Sequence, residues 1–94
     1  MRYDIAIIGS GPAGVSAAIT AKIRNKSIIL LGNKNLSDKL MKAHMIENYP
    51  GLPHITGEDF GKALMAHLDN LGIEITEKKV SAIYTFDDYF SIQA

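Results

Sequence analysis

The chain has 94 residues, 47% hydrophobic and 21% charged, with ten basic and ten acidic side chains and formal net charge +0. That length allows one small domain, and the balanced, dispersed charge leaves no basic field to hold nucleic acid or an anionic membrane. There is no cysteine, which excludes disulfides, zinc–thiolate sites and dithiol chemistry within these residues, is consistent with a reducing cytoplasm and sets a cytoplasmic expectation.

Residues 3–8 read as a first strand, apolar on both faces as a central parallel strand would be. Asp4 and the shortness of this apolar run rule out a secretory segment or a membrane span in it. The strand leads into Gly9-Ser10-Gly11-Pro12-Ala13-Gly14, and a small-residue helical pattern follows over residues 12–24. Strand, glycine turn and helix in that order form the context in which G-x-G-x-x-G marks a dinucleotide site. Gly9 is expected to permit a sharp exit where a Cβ would clash. Gly11 lets a pyrophosphate approach the backbone, and Gly14 lets helix and sheet pack closely. Pro12 suits the first helical turn, where no N–H is needed. The free N–H groups and aligned peptide dipoles at that helix start favour a diphosphate. The helix's expected packing face is Gly14, Ala17, Ala18 and Ala21, and Asn25-Lys26 ends it. Lys22, Arg24 and Lys26 read as a solvated turn complementing the helix dipole.

A second strand is expected over residues 27–31, completing a right-handed parallel βαβ unit. Dinucleotide sites usually offer an acid at the end of this strand for the ribose hydroxyls. Here Leu31 is followed by Gly32-Asn33-Lys34, and no carboxylate appears before Asp38. Asn33 could bond a ribose hydroxyl, Lys34 could pair with a 2′-phosphate, and a plain polar turn explains both equally well.

Residues 36–42 read as a short amphipathic turn that could be helical, and residues 43–57 read as irregular, punctuated by Pro50-Gly51, Pro53 and Gly57. A second helix is expected over residues 58–71. Thr56 is its N-cap, Asp59 a weaker version of the capping-box acid, and Gly72 its stop. Phe60, Leu64, His67, Leu68 and Leu71 form its expected buried stripe. Residues 73–76 make a third strand, and residues 80–86 and 89–93 make a hairpin about Asp87-Asp88. The fold class is thus α/β: a Rossmann-like βαβ with a parallel sheet plus a β-hairpin or meander. The chain stops in what reads as mid-sheet, so a shortened domain with an exposed sheet edge is expected.

The smaller candidates have plainer explanations. His44, His54 and His67 have no metal-ligand spacing. His67 reads as a packed residue, His54 as a loop surface residue, and His44 as a residue of the irregular segment for which a cofactor contact is the lesser alternative. Met41 and Met45 read as adaptable core filling. Asp87-Asp88 is a turn, and Ser10 and Ser16 lack a His–Asp partner pattern.

Three stretches together resemble the N-terminal part of the FAD-binding domain of thioredoxin-reductase-like flavoproteins, within the pyridine nucleotide-disulfide oxidoreductase superfamily. They are residues 3–14 with Ser10 and Pro12-Ala13, then Ile46-Glu47-Asn48-Tyr49-Pro50-Gly51-Leu52-Pro53, then Thr56-Gly57-Glu58-Asp59-Phe60. The resemblance covers the whole chain, residues 1–94, as one N-terminal portion of a single FAD/NAD(P)-binding domain. It implies that Gly9, Ser10, Gly11, Pro12, Ala13 and Gly14 hold the FAD pyrophosphate and that Gly32 and Asn33 lie beside the adenosine ribose. It implies that Val80 offers its backbone to adenine and that Asn48 approaches the ribityl chain and flavin. Lys39-Leu40 stand where the family usually has Gln-Leu after a glycine pair, here preceded by Ser37-Asp38. The family's Cys-x-x-Cys and NADPH fingerprint are not in this sequence. The expected function is an FAD-binding portion of an oxidoreductase with no catalytic or metal residue of its own. NADPH or ferredoxin would act as electron donor through other parts, and a homodimer is implied. The alternatives are an NADP-binding dehydrogenase module, in which Lys34 reads a 2′-phosphate, and a ligand-free scaffold.

Overall fold

The computed structural model describes residues 2–34 and 42–94. Strand β1 (Ile5–Ile8) leads to helix α1 (Pro12–Ile23) and strand β2 (Ile28–Leu31). Helix α2 (Gly57–Asn70), strand β3 (Ile75–Thr76) and the strands β4 (Ala82–Thr85) and β5 (Phe90–Gln93) follow. The expected short turn over residues 36–42 lies, but for Lys42, outside the described residues.

The first three strands form a parallel sheet in the order β1-β2-β3, with Ile7 beside Leu30 and Leu31 beside Thr76. β4 and β5 pair antiparallel, with Ile83 opposite Ile92. β2 is therefore the central strand, and Leu30 and Leu31 are buried. β1, expected to be central, lies at one edge among the described strands, and Ile5 and Ile8 are exposed.

Side chains alternate across the sheet. One set, Ile7, Ile28, Leu30 and Ile75, meets Val15 and Ala18 of α1 and Phe60 and Leu68 of α2 in the core. Val15 takes the packing role expected of Ala17, which is exposed; Ala18 and Ala21 are buried as the helical spacing requires. Over the other face lies a cavity of about 870 Å³, with Ala6, Ile29 and Leu31 on the sheet side and Phe90 and Ile92 on the hairpin side.

Helix ends follow the sequence closely. Asn25 takes the left-handed conformation at φ 61°, and Lys26 N–H reaches back to Ala21 O at 3.0 Å, closing α1. Gly72 does the same for α2 at φ 69°, with Ile73 N–H bonded to Leu68 O at 2.9 Å. Thr56 Oγ1 accepts from Asp59 N–H at 3.1 Å, as an N-cap should. The α2 stripe differs from expectation at one position. Phe60 and Leu68 are buried and Leu64 and Leu71 half-buried, but His67 is exposed in the last turn.

The segment read as irregular is an ordered tight loop. Ile46 and Ile55 exchange backbone bonds of 2.7 and 3.1 Å, and Leu52 N–H donates to Tyr49 O at 3.0 Å. Pro50 and Gly51 at φ 86° fill the central positions of that turn, the residue pair a type II turn favours. The Tyr49 ring leans on buried Phe60, 4.6 Å between centroids, which seats the loop on α2.

Candidate functional site: the glycine turn and the ends of the parallel strands

The site begins where β1 ends. Gly9 N–H donates to Leu31 O at 2.8 Å, so the ladder runs to the last residue before the turn. The chain then swings away because Gly9 adopts φ 114°, a conformation that L side chains rarely adopt. The expected steric reason is corrected here: a Cβ on Gly9 would meet nothing within 4 Å. Conformation, not crowding, requires glycine at this position.

Crowding acts at Gly14 and Gly32. A Cβ on Gly14 would overlap the carbonyl oxygen of Gly9 and lie 2.9 Å from its carbonyl carbon. Helix α1 therefore sits directly against the strand exit. A Cβ on Gly32 would fall 2.5 Å from Ser10 Oγ and 2.9 Å from Ser10 N. Ser10 is buried at 5% exposure, and its hydroxyl ties the two strand exits together. It donates to Asn33 O and accepts from Asn33 N–H, each at 2.9 Å.

The two helix starts differ in a way that bears on ligand chemistry. α2 is capped by Thr56 and carries Glu58 and Asp59 in its first turn, so its own side chains answer its exposed donors and positive dipole end. α1 has no side-chain cap, no acid in its first turn, and Pro12 at the start. Gly11 precedes it in an extended conformation, φ −77° and ψ −174°. The first-turn donors of α1, at Ala13 and Gly14, have no intrahelical acceptor by helix geometry. That corner can accept an anion with several oxygens.

At the neighbouring strand end, Gly32 N–H donates to Thr76 O at 3.1 Å. Glu77, which the sequence reading did not single out, follows β3 and accepts from Lys34 N–H through Oε2 at 3.0 Å. An open cavity of about 410 Å³ lies here, lined by Gly32, Asn33, Glu77, Lys78 and Lys79. The signal that could have located Glu77 is register: a parallel strand ending at Thr76 beside Leu31 sets residue 77 beside residue 32.

The structure thus brings together Gly9, Ser10, Gly11, Pro12, Ala13, Gly14, Gly32 and Asn33. Asn48 is exposed on the tight loop seated on α2, one residue before its turn, and Val80 is half-buried just ahead of β4. Lys39 and Leu40 lie outside the described residues. His44 and His54 are exposed, and Met45 is half-buried. Among the described residues no group of acids and histidines could hold a metal ion, and no helix is long and apolar enough to cross a membrane.

Away from this end, Asp4 and Ser27 latch the beginnings of β1 and β2. Ser27 N–H donates to Asp4 Oδ2 and Asp4 N–H donates to Ser27 Oγ, both at 2.9 Å. The Ser27 backbone bond, then its side chain, then the Lys26 charge hold the Asp4 carboxyl below its usual range.

A parallel βαβ unit whose glycine turn feeds an uncapped helix start defines a Rossmann-like dinucleotide-binding module. Residues 3–92 match the family model of the pyridine nucleotide-disulphide oxidoreductases, and the chain belongs to that family. It is similar to the thioredoxin reductase of Mycoplasma pneumoniae, 41% identical over 69 residues, covering 73% of this chain and 22% of that protein. Among solved structures, it resembles a ferredoxin-flavin thioredoxin reductase from Clostridium acetobutylicum with TM-score 0.94 and 52% identity, covering 99% of this chain and 32% of that one. It also resembles Lactococcus lactis thioredoxin reductase with TM-score 0.87 and 34% identity, covering 98% of this chain and 30% of that one. The chain therefore spans between about a fifth and a third of the length of these relatives.

Proposed function

We propose that this chain anchors the adenosine diphosphate half of FAD in a thioredoxin-reductase-like oxidoreductase. The observation that carries the reading is the uncapped, acid-free start of α1, held against the strand exit by Gly9 and Gly14. The fit is chemical as well as spatial. The first-turn N–H donors and the helix dipole suit a diphosphate. Bare backbone at Gly11 admits its oxygens, and the Ser10 link holds the adjoining loop in place. Gly32 and Asn33 then border the ribose, the Val80 backbone faces adenine, and Asn48 approaches the flavin side. Lys39 and Leu40 belong to the same proposal.

When bound, the flavin supplies the hydride and electron chemistry. The residues of this chain bind and orient it. With no cysteine in the sequence, they carry no dithiol step. The resemblance to thioredoxin reductases supports a disulfide acceptor such as thioredoxin as the substrate of the complete activity. The donor is NADPH or a ferredoxin. A ferredoxin-linked donor is favoured by the higher identity to the ferredoxin-flavin enzyme, 52% against 34% for the Lactococcus lactis enzyme.

The test is the cofactor itself. The intact protein should be yellow, absorb near ~450 nm and release FAD on denaturation. Gly11→Val should abolish flavin retention while leaving the fold intact, because φ −77° is open to valine. Unchanged FAD affinity in a folded Gly11→Val protein would overturn the assignment of this corner.

A further inference from the structure

We propose that Glu77 is the ribose-specificity residue of this site, replacing from strand β3 the acid that dinucleotide folds usually place at the end of β2. The inference rests on the diphosphate site proposed above and identifies what reads the sugar beside it.

Three observations carry it. First, the usual place for the acid is crowded. A Cβ at position 32 would fall 2.5 Å from Ser10 Oγ, 2.7 Å from Ser10 Cβ and 2.9 Å from Ser10 N, so a side chain there would have to displace the Ser10 turn. Positions 33 and 34 hold an amide and an amine. Second, register brings a carboxylate to the same corner from the adjacent strand. Leu31 pairs with Thr76, and Gly32 N–H continues that pairing by donating to Thr76 O at 3.1 Å. The backbone turns directly afterwards, with Lys78 N–H bonded to Thr76 O at 2.9 Å, so Glu77 stands at the apex. Third, the carboxylate is held in place. Oε2 accepts from Lys34 N–H at 3.0 Å, and the group borders the cavity formed with Gly32 and Asn33.

An ionised carboxylate is acceptor-only and has about four lone-pair sites across two oxygens. One oxygen fixes the 32–34 loop, and Oε1 is left to accept from a vicinal diol. This is the chemistry by which an acid recognises ribose hydroxyls in dinucleotide sites. The same group repels a 2′-phosphate, so the site favours an unphosphorylated adenosine ribose, as in FAD, over an NADP-type ligand. Lys34 thereby contributes its backbone N–H to positioning Glu77.

The test compares ADP with 2′-deoxy-ADP by calorimetric titration of the intact protein, with flavin removed where it copurifies. Wild-type protein should bind ADP about 10- to 100-fold more tightly than 2′-deoxy-ADP, the span expected for a hydrogen bond to a charged group. Glu77→Ala should bring that ratio to within about 3-fold of unity, and Glu77→Gln, which retains an acceptor for Lys34 N–H, should fall between. Gly11→Val serves as the separating control. If it abolishes ADP binding while the ratio is the same in wild type and both Glu77 variants, the diphosphate site stands and the role of Glu77 is refuted. If wild-type protein binds no ADP, both are refuted.

Discussion

Replacing Gly14 with alanine sets helix propensity against packing, and the two have opposite signs. Ala is favoured over Gly in a helix interior by about 1 kcal/mol, so propensity alone makes Gly14→Ala stabilising. The structure requires the reverse. The new Cβ would overlap the Gly9 carbonyl oxygen and sit 2.9 Å from its carbon. Both atoms are backbone, and Gly9 is fixed by its bond to Leu31 O and by φ 114°. No rotamer change relieves the overlap, so α1 must shift away from β1 and disturb the contacts of Val15 and Ala18. Overpacking costs about 1–3 kcal/mol, and a backbone obstacle belongs at the upper end. Subtracting the propensity gain leaves a net loss of about 2 kcal/mol. For a domain of this size, that lowers Tm by about 8–16 °C. Exposed Ala17 on the same helix is the control: Ala17→Gly should lose only the propensity difference, about 1 kcal/mol. Thermal unfolding of the three proteins by circular dichroism decides the matter. A Gly14→Ala protein as stable as wild type, or more so, refutes the packing argument.

Other outcomes are expected elsewhere in the chain. Ser10→Ala removes both bonds to Asn33 and should destabilise by about 1–3 kcal/mol in urea unfolding; an unchanged midpoint would mean that the hydroxyl ties nothing. Thr56→Ala should remove about 1 kcal/mol by uncapping α2, with Thr56→Ser recovering most of it. The Asp4 carboxyl is held low in the folded protein, so its contribution to stability is complete above the ordinary aspartate range. That contribution is lost as pH falls through this range to the lowered folded value. Asp4→Asn should therefore be less stable than wild type at neutral pH and converge with it in acid. A gap between the two proteins that stays constant with pH would show that Asp4 is not the titrating group.

The local architecture was largely legible in the sequence because its signals are local. Strand, glycine turn and helix come in unbroken order over residues 3–24. The ends of both helices carry their own markers in Asn25, Thr56 and Gly72. What could not be read depended on which strand lies beside which. The apolar run of β1 suggested a central strand, but among the described strands β2 is the one flanked on both sides, and Ile8 is half exposed, at 50%. A period of 3.6 residues put His67 near the apolar stripe of α2, but the arc that faces the core stops short of it. Residues 43–57 seemed shapeless because Pro and Gly punctuate them, whereas the pairing of Ile46 with Ile55 needs the whole loop to close. At the site, the six residues of the fingerprint were evident. Glu77 was not, since only the pairing of β2 with β3 brings it within reach of Lys34 across 43 positions of sequence.

The hydroxyl of Ser10 joins two loops that 23 residues of chain separate. Ser10 and Asn33 therefore keep their places when a nucleotide arrives, and the entropy of ordering them is met once, during folding. Association then loses little freedom on the protein side, the condition under which a few backbone donors can yield high affinity. Loosening this link should show itself twice, in weaker retention of ligand and in faster unfolding, because it belongs to the cradle and to the sheet ends alike.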